Sequence, residues 1–238
     1  MYAILVIVGL VAGLLSGSVG FGGAMLVIPV ITYMFGVEQA VPASTIAQLM
    51  SNLSRTVIGW RSIDWKAVGY FLMLAAPLTA LGAFGFATVP AKPMTVALCV
   101  FLIVFAIWKL VGNRELPHRK GTMIIGGGVT GLINGLLGIS GPLSSAVFLS
   151  WSLAPVAYIA SEATAAAAMH VIKAVVYNKL SLIDLDILTK GLTVGISMTV
   201  GNFVAMRLIG KIRNKAYKRL VASVMILACI ALIITTLR

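Results

Sequence analysis

Apolar stretches of membrane-spanning length follow one another along the chain, separated by short polar connectors. The first four are at about 2–35, 42–60, 67–88 and 94–111, and the next four at about 122–152, 157–178, 186–207 and 216–237. About 20 apolar residues suffice to cross a bilayer as a helix. The pattern therefore predicts an all-α polytopic membrane protein.

Composition and charge agree with this prediction. Hydrophobic residues make up 60% of the chain and charged residues 10%, which leaves too little polar surface for a soluble domain. The net charge of +12 is concentrated in short connectors near 61–66, 112–120 and 207–219. Basic residues there set membrane orientation and attract anionic lipid, so we predict lipid and not nucleic acid as the partner. We expect a multi-pass protein of a bacterial-type cytoplasmic (inner) membrane.

The chain contains an internal repeat with an offset of 118 positions. GLLSGSVGFGG at 13–23 returns as GLINGLLGISGP at 131–142, Asn52 and Arg55 correspond to His170 and Lys173, and SID at 62–64 corresponds to LID at 182–184. We therefore divide the chain into two repeats, 1–119 and 120–238. Such repeats are a common plan of secondary transporters, whose substrate site lies between the halves.

The first stretch of each half has the wrong length for a simple span. A continuous helix of thirty-odd residues is about 50 Å long, whereas two spans need about 40 residues. A re-entrant hairpin, broken at the glycines, fits this length. It also brings the basic loops 112–120 and 207–219 to the cytoplasmic side. The prediction is an inverted repeat with two hairpins, six full spans and both termini outside. The alternative is a parallel repeat of eight spans.

The glycine runs are candidates for binding an anion. Irregular backbone at membrane depth survives only when it is buried in protein or lines a wet cavity. The helix after each break begins with unpaired N–H groups and a positive dipole end, which is suited to a small anion. The predicted binding residues of the breaks are Gly20, Phe21, Gly22 and Gly23 in the first half and Gly138, Ser140, Gly141 and Pro142 in the second. We assign Gly13, Gly17, Gly131 and Gly135 mainly to helix packing.

The stretch after each glycine run carries a polar face. Gln48, Asn52 and Arg55 lie on it in the first half, and His170 and Lys173 in the second. The two cations either snorkel to the membrane surface or bind substrate. The other three either line a cavity or form hydrogen bonds between helices.

The second polar face also carries the candidates for proton coupling. They are Glu162 and His170, because histidine titrates near neutral pH and an acid within a span defaults to a functional role. The alternative for Glu162 is a position at the membrane surface, as a first-turn helix residue.

The same residues carry a family resemblance that covers essentially the whole chain. The run GLLSGSVGFGGAMLVIPVI with ASTIAQLMSNLSRTVIGW, and its second copy GLINGLLGISGP with EATAAAAMHVIKAVVY, resemble the TauE/SafE family of sulfite exporters. The resemblance implies a membrane carrier that exports sulfite, sulfoacetate or a related sulfonate. Glu162 departs from expectation, since an acid beside an anion path is unusual.

Other functions remain as alternatives. An anion channel could use the same loops as a filter. A cation transporter would need more acidic spans. An enzyme is disfavoured, because six acids and two distant histidines form no metal-ligand or nucleophile–base cluster. No nucleotide motif occurs, and we predict no cofactor.

Overall fold

The computed structural model describes residues 2–19, 23–111, 116–208, 229, 230, 233, 234 and 236. Within them the regular structure is helical, with no strand. The helices are α1 (Tyr2–Val19), α2 (Gly23–Phe35), α3 (Val37–Ile58), α4 (Trp65–Thr88), α5 (Ala91–Val111), α6 (Lys120–Leu137), α7 (Gly141–Leu149), α8 (Pro155–Lys179) and α9 (Leu185–Leu208), with a 3-10 turn at Trp60–Ser62. Most of the last predicted stretch, 216–237, lies outside the described residues.

The described residues confirm the prediction of an all-α protein with helices able to cross a membrane. Helices α4, α8 and the part of α9 up to Ala205 are long and apolar enough to cross a membrane. Shorter apolar helices occur at Tyr2–Gly17, Gly23–Phe35 and Ala91–Val104. Helix α3 begins at Val37 and not near 42, because the polar residues that end the apolar pattern form its first turn.

Two aspartates fix the start of corresponding helices. The Asp64 side chain accepts hydrogen bonds from the backbone N–H groups of Lys66 and Ala67, both at 3.0 Å, at the start of α4. Asp184 accepts one from the N–H of Ile187, at 2.7 Å, at the start of α9. These carboxylates satisfy amides that have no partner within the helix. The repeated SID and LID motifs are therefore helix caps.

The two broken helices fold back on themselves. The ring of His118, just before α6, stacks on Trp151, just after α7, with 4.6 Å between ring centroids. The beginning of α6 and the end of α7 therefore lie side by side. In the first half, Leu5 near the start of α1 and Ile31 near the end of α2 belong to one apolar cluster.

The first helix of each half packs against a helix of the other half. Helix α1 packs along α9, and α6 packs along α4. A Cβ atom added at Gly13 would lie 2.2 Å from the Met198 carbonyl oxygen, and one at Gly131 would lie 2.4 Å from the Ala75 carbonyl oxygen. These helices approach so closely that only glycine fits, which confirms the packing role predicted for these glycines.

The polar helices α3 and α8 pack against each other. They run antiparallel, so that the end of α3 lies beside the start of α8: Gly59 adjoins Ala160, and the Thr164 hydroxyl donates to the Thr56 hydroxyl at 3.4 Å. Their polar faces meet between the two helix breaks, where the candidate site lies.

Candidate functional site

A cleft between the two helix breaks is lined by a group of buried polar side chains. The cleft has a free volume of about 20 Å³, which is room for about one water molecule. It is lined by Ser16, Gly23, Ala24, Gln48, Ser51, Asn52, Arg55, Ser140, Gly141, Glu162, Ala166 and Met198.

The start of the helix after each break faces this cleft. Gly23 and Ala24 open the described part of α2, and Ser140 and Gly141 open α7. Helix α6 ends at Gly138, whose φ of 78° is left-handed and favours glycine. The first N–H groups of a helix lack partners within it and mark its positive end. Both breaks therefore direct positive potential into one space.

Three predicted residues of the breaks, Gly20, Phe21 and Gly22, lie outside the described residues. Pro142 is buried in the first turn of α7. There its missing N–H removes no helical hydrogen bond.

A buried ion pair spans the cleft. Arg55 Nη1 lies 3.4 Å from Glu162 Oε2, and the two residues are 5% and 1% exposed. The Arg55 guanidinium also donates to the Asn52 side-chain oxygen, and the Ser144 hydroxyl donates to Glu162 Oε1 at 2.6 Å. The surface position considered for Glu162 is wrong, because the carboxylate sits inside the protein between α3 and α7. Snorkelling is likewise wrong for Arg55.

Gln48 connects α3 to the second glycine break. Its side-chain nitrogen donates to the Gly138 carbonyl oxygen at 3.3 Å. The two predicted roles of this residue therefore coexist, since Gln48 lines the cleft and also joins two elements.

His170 and Lys173 lie outside the lining of the cleft. They follow Glu162 on α8 by about two and three turns and are fully buried, so snorkelling is wrong for Lys173 as well. Lys173 Nζ donates to the Asn134 side-chain oxygen at 3.4 Å. The ring nitrogens of His170 have no hydrogen-bond partner among the described residues.

A hydrogen-bond network that the sequence did not reveal joins α1, α3 and α9. The Ser16 hydroxyl donates to the Asn202 side-chain oxygen at 2.7 Å, and Asn202 Nδ2 donates to the Ser51 hydroxyl at 2.9 Å. The available signal was an amide within an apolar span, which is costly in lipid and indicates a buried partner.

Acidic and metal-ligating side chains are sparse around the site. Within 2–19, 23–111, 116–208 and the few described residues beyond, no three His, Cys, Asp or Glu side chains are grouped to hold a metal ion. Hydroxyl, amide and guanidinium groups dominate the cleft, and this chemistry is suited to an anion.

Comparison with known proteins bears directly on the resemblance. Residues 5–232 match the model of the family described as "Sulfite exporter TauE/SafE". The chain is similar to "Probable membrane transporter protein YunE" of Bacillus subtilis (strain 168), with 23% identity over 130 residues, covering 50% of this chain and 48% of that protein. It is also similar to "Probable membrane transporter protein MJ0441" of Methanocaldococcus jannaschii, with 27% identity over 172 residues, covering 64% of this chain and 63% of that protein.

The chain therefore spans between about half and two thirds of the curated relatives it matches. No solved structure matches it. The family match covers nearly the whole chain and confirms the resemblance carried by the repeated glycine motifs.

Proposed function

Because the chain belongs to the sulfite exporter TauE/SafE family of membrane transporters, we propose that it exports a small sulfur-containing anion from the cell across the inner membrane. Sulfite, sulfoacetate and related organosulfonates are the substrate class. The observation that carries this proposal is the buried guanidinium of Arg55 in a small cleft, beside the starts of α2 and α7. A cation and two helix dipole ends favour a compact negative charge.

The proposed binding site uses both helix breaks and the polar face of α3. Backbone N–H groups near Gly23 and Gly141 hold the oxygen atoms of the anion, and Arg55 neutralises its charge. Asn52 positions the Arg55 guanidinium by accepting a hydrogen bond from it. Gln48 positions the second break by donating to the Gly138 carbonyl oxygen. His170 and Lys173, further along α8, belong to the path by which the anion leaves or enters the site.

We further propose that residues 1–119 and 120–238 are inverted repeats. The Gly36 connection joins the open end of the α1–α2 hairpin to the start of α3. The opposite end of α3 leads to Asp64, whose carboxylate accepts a hydrogen bond at 3.3 Å from Trp151, at the open end of α6–α7. The hairpins thus open at opposite ends of α3, which is what an inverted repeat with re-entrant hairpins requires.

Transport measurements test this proposal. The purified protein in proteoliposomes should take up labelled sulfite with saturation and exchange it for internal sulfite. Excess unlabelled sulfoacetate should compete more strongly than sulfate or chloride at the same concentration. Uptake equal to that of protein-free liposomes for every anion would refute the proposal. Ohmic single-channel currents would favour the channel over the carrier.

A further inference from the structure

Glu162 sits where a bound anion would sit. One carboxylate oxygen lies 3.4 Å from the Arg55 guanidinium, and the other accepts a hydrogen bond from Ser144 in the first turn of α7. An entering anion needs these same two partners, the cation and the positive end of α7. The protein thus carries its own carboxylate at the place proposed for the substrate.

The surroundings of Glu162 allow only one negative charge at a time. Arg55 is the charged group that faces it from α3, and Ser144 contributes a neutral hydroxyl from α7. The α4 residues in the cluster packed on α8 include Ala67 and Phe71, which are apolar. A carboxylate and a second anion beside one cation would leave a buried net charge, which is strongly unfavourable.

Asp64, whose backbone N–H donates to the Ser161 hydroxyl at 2.8 Å, directs its carboxylate to the start of α4. Three further titratable groups lie on the helix of Glu162 itself. Tyr158 is one turn before it, and His170 and Lys173 are about two and three turns beyond it. All three are buried. Lys173 is engaged with Asn134 on α6, so it does not replace Arg55 as the partner of the carboxylate. His170 is the other candidate for proton coupling, but it does not line the cleft.

We propose that the substrate anion and one proton bind together, by exchange at Glu162. The anion replaces the carboxylate at Arg55, and the released carboxylate takes one proton from hydronium of the aqueous phase from which the anion enters. No other bond forms or breaks, so one proton travels with each anion in the same direction. Transport of a monoanion is then electroneutral. This inference rests on the proposed function, because it concerns the same site.

Coupled flux measurements test the exchange. Proteoliposomes containing a pH-sensitive dye receive labelled methanesulfonate, which remains a monoanion across the pH range, whereas sulfite itself takes up protons near neutrality. A parallel measurement with labelled sulfite gives the rate at which the same proteoliposomes take up that anion. The wild type should move one proton per methanesulfonate. Its apparent affinity should fall about tenfold for each unit of rising pH, as linkage to one bound proton requires.

The decisive variant is Glu162→Gln, which keeps the side-chain length and accepts from Ser144 but does not titrate. Its anion flux should proceed without proton movement, carry net charge, and show an affinity that is constant with pH. Glu38→Gln, an exposed acid at the start of α3, and His170→Gln should both retain the wild-type proton ratio. Glu162→Asp, which restores a titrating carboxyl, should regain coupling.

The outcomes separate the two proposals. Wild-type flux of anion without protons, or a wild-type proton ratio in Glu162→Gln, overturns the exchange and leaves the transport function intact. Loss of coupling in His170→Gln with retention in Glu162→Gln also overturns it. A wild type that moves neither methanesulfonate nor sulfite overturns the proposed function, and this inference with it.

Discussion

Arg55 is a buried cation, 5% exposed, and it lines the cleft between the helix breaks. Its guanidinium is held by Glu162 from α8 and by Asn52 one turn earlier on α3. A buried guanidinium in such a frame is fixed in position before an anion arrives, so less ordering is needed on binding. At the residue scale, anion affinity should therefore depend on Arg55 more than on other arginines.

Substitution of Arg55 by Gln should raise the KM for sulfite uptake by at least about tenfold, because a hydrogen bond to a charged group contributes about 1.5–3 kcal/mol. Arg61→Gln is the matched control, since Arg61 is exposed beside the Trp60 ring in the connector after α3. Its KM should match that of the wild type. The concentration dependence of proteoliposome uptake measures both values. Equal KM values for the two variants would contradict the role of Arg55.

At the residue level, helical spacing could place side chains on one face of a single helix. The spacing of Gln48, Asn52 and Arg55 defines one face of α3, and all three line the cleft. It failed to exclude snorkelling for Arg55, because distance from a helix end does not reveal which way a side chain points. The partner of Arg55 lies 107 positions away on another helix, and helical spacing carries no information about that contact.

At the scale of helices, the glycines serve two separate purposes. Gly131 lies in a close crossing, where an added Cβ would be 2.4 Å from the Ala75 carbonyl oxygen, whereas Gly138 ends α6 with a left-handed backbone. The sequence revealed the breaks because the glycine runs recur in register. It did not reveal which helices the packing glycines face, since α1 and α6 each pack on a helix of the other half.

Gly131→Ala should destabilise the protein by about 1–3 kcal/mol, because α4 and α6 must move apart to accept the methyl group. Gly121→Ala in the same helix is the control. A Cβ atom there meets no neighbouring atom within 4 Å, and alanine favours a helix over glycine. Thermal unfolding in detergent should give a lower midpoint for Gly131→Ala and an unchanged or higher one for Gly121→Ala. The reverse order would contradict the close crossing.

If α6 and α7 form a re-entrant hairpin, the start of α6 and the end of α7 should lie on the same side of the membrane. Single cysteines at Arg119→Cys and Ser152→Cys, in a background with Cys99 and Cys229 replaced by alanine, should react with a membrane-impermeant maleimide only from the cytoplasmic side. Glu38→Cys, at the start of α3, should react only from outside. Labelling of positions 119 and 152 from opposite sides would instead support eight ordinary spans.

At the scale of the whole molecule, the exchange of helices makes the two halves interdependent. In the part of the chain that the structure describes, the most extensive helix pairs are α1 with α9 and α4 with α6, and both join residues of 1–119 to residues of 120–238. Among the described residues, each glycine-rich helix packs mainly on a helix of the other half, so neither half should be stable alone. The repeat could be found from the sequence. The exchange could not, because it depends on packing between segments far apart in the chain.

The two halves expressed separately should be degraded or aggregate, whereas co-expression should yield a complex that purifies together and transports sulfite. Recovery of the complex through an affinity tag on one half measures this. A first half that is stable and monodisperse alone in detergent would contradict the interdependence.

Selenite, the selenium analogue of sulfite, locates directly the anion that we propose is held between the helix breaks beside Arg55. Crystals grown with selenite and measured at the selenium absorption edge should show an anomalous peak between the Arg55 guanidinium and the first turns of α2 and α7. A peak elsewhere in the protein, or no peak when selenite competes with sulfite in transport, would contradict the account.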